Sequence, residues 1–397
     1  MTSHKTIFRY YMYTMLILLS ITSCRCFEEE ELTHGRTVLI YMAAENSLSS
    51  FQQEDINEII QATGDIPQNS RLLIYVDDYN LPRILSVEQQ EGRVPVCKTL
   101  HRYEAEHNSG NTETLRLVLD WAMKHFPSDS YGLVLWSHGS SWIPAKSPAQ
   151  RAICQDTQDK SNGWMNIKDI AEALEGFPQM EFILFDACWM QSVEVAYELR
   201  HTAHYLLGSP AEIPGPGAPY QHITKALFSI PFDANETIYQ YYNYYSTYPD
   251  GYGAALSSID CSVLEELLEV TSEMISKHIA IGNGESDLHG VQKYVLRHNE
   301  RYSRPDYYDM NSYMKKILPE EDYRRWGAVF DRAVPYRHTT ERFTSSQQDY
   351  GTINLPIDME EYGGMSCFIP QHIHPQLNKA FQSTSWYIDA GWQQAGW

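Results

Sequence analysis

Two short apolar runs each end on a side chain able to do acyl-transfer chemistry. LVLWSHG (Leu133–Gly139) carries His138, and FILFDAC (Phe182–Cys188) carries Cys188. A cysteine thiolate is a strong nucleophile, and an imidazole is the base and acid suited to neutral pH. Each run is rich in aromatic or branched residues, as in a buried strand of a parallel sheet, and such sheets hold ligands at their carboxyl ends. His138 and Cys188 are therefore expected to share one crevice. A lone cysteine or strand-end histidine is more often structural than catalytic. The pairing carries the argument, together with Gly139, whose missing side chain opens the backbone to a substrate.

The surrounding elements must position these two ends. Thr37–Ala43 and Arg71–Asp77 are strand-like and flank a helical pattern around Phe51–Ala62, the alternation of a βαβ unit. Leu81–Glu88 and Val94–Leu100 predict a hairpin with Glu91-Gly92 as its turn. A helix from Asn111 to His125 follows, capped by Asn111 or Thr112. After the His138 strand come a polar loop over Ser140–Gly163, a helix over Ile167–Leu174 and the Cys188 strand. A helix from about Met190 to Arg200 would aim its positive end at the thiol and favour thiolate. Tyr205–Ser209 predicts another strand, stopped by the Pro/Gly-rich turn Pro210–Pro219. Beyond residue 220 helical patterns prevail, including Cys261–Ala280 and Pro319–Ala333, with strand-like runs from Gly253 and Gly364. The tyrosine-rich run Tyr239–Tyr248 fits a packed helix better than a recognition surface.

The chain has 397 residues and a formal charge of -21, which argues against nucleic acid and against electrostatic attraction to anionic lipid. An acidic surface would steer basic substrates or serve solubility. Lys5 and Arg9 precede an apolar stretch, Tyr10–Ile21, with the layout of a secretory signal and too short for a confident membrane span. Ile21-Thr22-Ser23-Cys24 resembles the lipobox of bacterial lipoproteins, which implies cleavage before Cys24 and its acylation; a plain secretory peptide is the alternative. Cys26-Phe27 and Glu28–Glu31 resemble the acidic export tag of surface-exposed lipoproteins, or form a solvated tether. The wide spacing of Cys97, Cys154, Cys188, Cys261 and Cys367 is not that of a disulfide framework or a zinc site.

The chain has no GxSxG, HExxH, GxxxxGK[ST] or GxGxxG motif. Its two runs, with Cys188 placed 50 residues after His138 (188 minus 138), resemble the paired motifs of the cysteine-peptidase clan of caspases, legumain, gingipains and clostripain. Trp189-Met190 after the cysteine, Ile153-Cys154-Gln155-Asp156, LLGSPAEIPGPGAPY and GMSCFIP resemble clostripain in particular, over residues 35 to 370. The resemblance implies a caspase-like α/β/α sandwich with a mainly parallel central sheet. It makes Cys188 the nucleophile, His138 the base and acid, and the N–H groups of Gly139 and Cys188 the oxyanion hole.

Asp186 matches a family acid near the specificity pocket, or is a carboxylate satisfied by local backbone or Ser137. Relatives that prefer Arg or Lys carry a further aspartate where this chain has Pro216, so the residue taken before the scissile bond stays open. Glu212 is a replacement acid or a surface residue. Arg151-Ala152 resembles a self-processing position, with Lys146 in the same loop; the alternative is a flexible loop with incidental basic residues. His101, His107, His125 and His222 have no partners at metal spacing, and no EF-hand loop is present, so no cofactor and no required metal are expected.

The expected organisation is a signal peptide (1–23), a tether (24–35), a peptidase core (36–260) and a helical region (261–397) that lends the core a late strand. The expected protein is a clostripain-like cysteine endopeptidase of the bacterial cell envelope, lipid-anchored to the outer membrane and periplasmic or surface-exposed, acting on peptide or protein. The alternative is a non-catalytic lipoprotein that binds peptide or glycan on the same fold.

Overall fold

The computed structural model describes residues 35–88, 95–143, 152–157, 163–249, 251–279, 287–294, 307–347 and 351–397. The leader with Cys24 and the Glu91-Gly92 turn lie outside them. Residues 35–397 form one compact unit, within which the stretches on either side of residue 260 both fall.

Five strands run parallel at the centre: β1 (Arg36–Ala43), β2 (Arg71–Asp77), β5 (Ser130–Trp136), β8 (Met180–Asp186) and β9 (Ala203–Gly208). The hairpin β3 (Arg83–Glu88) and β4 (Val96–Arg102) extends one edge, and β10 (Ala255–Asp260) and β12 (Tyr336–Thr339) extend the other, all antiparallel. The order across the nine strands is β12-β10-β9-β8-β5-β1-β2-β3-β4.

Strand side chains alternate between two cores, as a period of two requires. Leu39 and Tyr41 of β1, Leu133 and Leu135 of β5, and Ile183 and Phe185 of β8 face one helical layer. That layer includes α2 (Thr112–His125), α3 (Ile167–Leu174) and α4 (Val193–Leu199). Val38, Ile40, Val134, Trp136, Phe182 and Leu184 face the opposite layer, made of α1 (Gln52–Gln61), α5 (Tyr220–Leu227) and α6 (Ala234–Ser246). The outcome is the expected α/β/α sandwich. The tyrosine run lies on α6, where Tyr241 and Tyr245 are buried. No helix among the described residues is long and apolar enough to cross a membrane.

Three expectations need correction. The helix after Cys188 begins at Val193, because Ser192, not a residue beside the cysteine, supplies its cap: the Ser192 hydroxyl accepts from Val195 N–H at 3.3 Å. The polar loop contains a short antiparallel pair, β6 (Ile153–Asp156) with β7 (Gly163–Met165). The late strand of the main sheet is β12, whereas the GMSCFIP segment forms only a two-residue strand, Ser366–Cys367, paired with Tyr308–Asp309. Its Ser366 N–H donates to the Gln191 carbonyl at 2.9 Å, beside the turn that carries Cys188 rather than along the edge of the main sheet.

Candidate active site

His138 and Cys188 hang from neighbouring strands. The register sets Trp136 of β5 opposite Asp186 of β8, and each reactive residue lies two positions further on. Adjacent strands are about 4.8 Å apart, so the register delivers both side chains to one crevice, and both are half-buried. A Cβ on Gly139 would stand 2.6 Å from the Cys188 carbonyl oxygen and 3.0 Å from the Ala187 Cβ. Glycine is therefore required because the histidine loop backs directly onto the cysteine turn.

The thiol is not at a helix end. Its Sγ accepts from the backbone N–H of Ile213 at 3.4 Å, a donor from the turn after β9. That turn runs beside the nucleophile turn: Trp189 N–H donates to the Ala211 carbonyl at 2.8 Å and Gln191 N–H to the Ser209 carbonyl at 3.0 Å. The Gln191 amide also donates to the Leu206 and Ser257 carbonyls, locking the turn to β9 and β10. On the other side His138 Nε2 lies 2.8 Å from the Ser47 hydroxyl.

A buried network holds the histidine loop. The Asn46 amide donates to the carbonyls of Ala43 (2.8 Å) and Gln155 (2.9 Å), and the Ser137 hydroxyl donates to the Ala43 carbonyl at 2.9 Å. Ser141 and Ser192 join the histidine loop to the start of α4 through their hydroxyls, 2.7 Å apart. Among the described residues the non-glycine positive-φ positions are Ser141 (64°), Cys154 (58°) and Trp189 (59°). All three belong to segments that frame the crevice, where strained backbone tends to collect.

Asp186 is buried, and both its oxygens are engaged, though not by Ser137. Ala218 N–H donates to one at 3.0 Å and the Tyr220 hydroxyl to the other at 2.9 Å. Burial pushes its pKa up to about 6 against these bonds. A second acid lies on the same face: Asp55 of α1, whose Oδ2 accepts the Trp136 indole N–H at 2.6 Å. Burial and then the charge of Asp186 push Asp55 up to about 9. The Tyr241 hydroxyl is buried without a hydrogen-bond partner among the described residues, in the field of Asp186, Tyr245, Cys188 and Asp55.

Glu212 is buried rather than on the surface, and its Oε2 accepts from the Ser345 hydroxyl at 2.8 Å. Pro216 is half-buried in a turn closed by Gly217 N–H on the Pro214 carbonyl at 2.9 Å, with Gly217 at φ 71°. Lys146 and Arg151 lie outside the described residues. Ala152 is fully buried, and its carbonyl accepts from Ser140 N–H at 2.7 Å.

The sequence reading missed Ser47, Asn46, Asp55 and Gln191. Glu45-Asn46-Ser47 was detectable by the strand-end logic applied to the first strand, since it follows TVLIYMA after a single further alanine. Asp55 carried no signal, because acids on an exposed helix face are common.

A model of the Clostripain family matches residues 40–395. Clostripain of Hathewaya histolytica is 28% identical over 218 residues, a stretch covering 47% of this chain and only 41% of that protein. An inactive zymogen protease from Parabacteroides distasonis is 30% identical, with a TM-score of 0.78 over 89% of this chain and 97% of its own. A secreted cysteine protease from Bacteroides thetaiotaomicron, solved with an irreversible peptide inhibitor, is 32% identical, with a TM-score of 0.79 over 90% and 99%. With a paired thiol and imidazole on adjacent strand ends, and a family match across nearly the whole compact unit, the chain belongs to the Clostripain family.

Proposed function

We propose that the protein is a cysteine endopeptidase with Cys188 as nucleophile and His138 as its base and acid. The observation that carries this reading is the meeting of the two loops, with Gly139 packed against the Cys188 backbone. The Cys188 sulfur bonds to the scissile carbonyl carbon, the C–N bond breaks, and His138 protonates the departing amine; water then hydrolyses the thioester. The N–H groups of Gly139 and Cys188 are the oxyanion donors, each contributing about 3 kcal/mol to the barrier reduction. The ladder bond at the Gly139–Ile153 bridge comes from Ser140 N–H, which leaves the Gly139 N–H outside that pairing.

The residue before the scissile bond is basic in this reading. Asp186 and Asp55 are two buried acids on one face of the sheet beside the Tyr241 hydroxyl, and in this reading they attract a guanidinium or ammonium group. Pro216 removes one acid from the adjacent turn, and in this reading Asp55 supplies a carboxyl from a different element, which gives up its proton when a cationic side chain enters. Glu212 ties the turn to Ser345. A peptide-library digestion tests both claims. Wild-type protein should cut after Arg or Lys, Cys188→Ala should cut nothing, and Asp55→Asn should lose about tenfold or more in kcat/KM on basic peptides while keeping activity on neutral ones. Labelling of all cysteines alike by a thiol reagent, with no Cys188-dependent cleavage, would favour the peptide- or glycan-binding alternative.

The same reading includes self-processing at Arg151-Ala152 and a lipid anchor on Cys24 in the bacterial envelope. Processing predicts a new N-terminus at Ala152 in wild-type protein and an intact chain in Cys188→Ala. The anchor predicts incorporation of a fatty-acid label that Cys24→Ser abolishes.

A further inference from the structure

The tyrosine-rich run on α6 does more than pack, because one of its hydroxyls reaches the turn that holds the pocket acid. Tyr241 and Tyr245 stand one helical turn apart on the buried face, their ring centroids 5.7 Å apart. The Tyr245 hydroxyl donates to the Gly217 carbonyl at 2.6 Å. The N–H at the other end of that same peptide group, on Ala218, donates to Asp186 Oδ1 at 3.0 Å. One planar peptide is therefore gripped at both ends. Its glycine has φ 71°, and a Cβ there would stand 3.0 Å from both Asp186 oxygens, so the turn backs directly onto the carboxylate. The Tyr245 ring is fixed in turn: it is 2% exposed, and the rings of Tyr244 (5.1 Å) and Tyr248 (5.6 Å) pack against it.

A carbonyl that accepts a hydrogen bond polarises its peptide and makes the N–H a stronger donor. A donor aimed at a carboxylate favours the ionised form. Burial drives Asp186 the other way, and the ionisable side chains that act on it are acids and phenols: Asp55 and Glu58 of α1, Tyr220 of α5, and Tyr241 and Tyr245 of α6. Burial and then the charge of Asp186 hold the Tyr245 phenol well above its usual range, so it stays a donor at neutral pH. We propose that Tyr245 is a specificity-determining positioning residue: by clamping the Gly217–Ala218 peptide it keeps Asp186 ionised and in place for a basic side chain ahead of the scissile bond. This role rests on the reading of Asp186 as an acid that attracts such a side chain. Without the hydroxyl the glycine turn loses its anchor to α6, the peptide rotates, and the carboxylate keeps the Tyr220 bond alone.

Steady-state kinetics on matched peptides with Arg, Lys or uncharged norleucine before the scissile bond test this with wild type, Tyr245→Phe and Tyr244→Phe. Tyr245→Phe keeps the ring and its packing, so the fold survives and the donor alone is lost. It should raise KM on Arg and Lys peptides about fivefold, with kcat on them and both constants on norleucine peptides unchanged. The pH at which the preference for basic peptides appears should rise, because a carboxylate that loses a donor holds its proton longer. Tyr244→Phe, which alters the neighbouring ring, should match wild type in both respects. An unchanged KM for basic peptides in Tyr245→Phe, or an equal loss on all three peptides, overturns the role of Tyr245 and leaves Asp186 as the recognition acid. A wild type with no preference for Arg or Lys over norleucine overturns the reading of Asp186, and the role of Tyr245 with it.

Discussion

The carboxyl edge of the parallel sheet divides into two regions that share a position and differ in chemistry. The ends of β8 and β5 present a thiol and an imidazole, both half-buried: the sulfur accepts from Ile213 N–H, and the ring shares a hydrogen bond with the Ser47 hydroxyl. The ends of β1 and β2, next along the sheet, present acids, with Asp77 buried. One topology supplies both edges, as expected of an open α/β sheet. Side-chain choice decides the function of each. Partial exposure leaves the thiol and ring in reach of solvent, whereas Asp77 is closed off and burial pushes its carboxyl up to about 8.

The largest effects should fall on the first region alone. Cys188→Ala and His138→Ala should each lower kcat/KM by about 10⁴-fold or more, with the melting temperature unchanged. A lowered melting temperature in either variant would break the separation of the two regions. Gly139→Ala ranks next. Its methyl must displace backbone, the Cys188 carbonyl at 2.6 Å, not a flexible side chain. A misplacement near 1 Å costs about 100-fold, and steady-state kinetics should show it mainly in kcat. A variant with wild-type kcat would remove the tight contact between the loops from the account.

Both reactive residues were legible in the sequence because an apolar strand that stops on a polar residue announces where the sheet ends. The same logic stretched too far after Cys188. Trp189 takes a left-handed φ of 59°, and helical geometry begins only after Ser192 caps the chain. No propensity of Met190 or Gln191 signals that, since the bend is imposed by tertiary bonds to Ala211 and Ser209. Asp186 was found but its partners were not: Ala218 and Tyr220 lie more than thirty positions away, and only the fold of the turn after β9 brings them in. Asp55 shows the same limit, because charge clusters built across elements leave no spacing to count.

The contact that joins the two regions gives a smaller, sharper test. Ser47 follows the acidic strand end and holds His138 Nε2 at 2.8 Å. Ser47→Ala should reduce kcat about fivefold, as one lost neutral hydrogen bond of about 1 kcal/mol allows, and should shift the acid limb of the kcat/KM pH profile. Ser47→Thr, which keeps the hydroxyl, should restore that limb. A uniform loss with an unmoved profile would make Ser47 a packing residue only.

The smallest expected effect concerns stability, and it separates the pocket acids from the crevice. Asp55 is held neutral, its pKa raised from 3.8 to about 9 by burial and then by Asp186, with the Trp136 bond opposing the rise. Because the folded state keeps a proton that the unfolded chain releases above pH ~4, this group costs nothing at low pH. Its penalty grows as pH rises toward 9. Asp55→Asn retains an acceptor for the Trp136 indole and has no proton to lose. The variant should match wild type near pH 4 and exceed it by a margin that widens steadily up to pH 8. Denaturant melts of both proteins across that window measure the gap. Parallel curves would mean that Asp55 is already charged in the fold and that a cationic neighbour satisfies it there. The pocket would then have no unmet charge to offer a basic substrate.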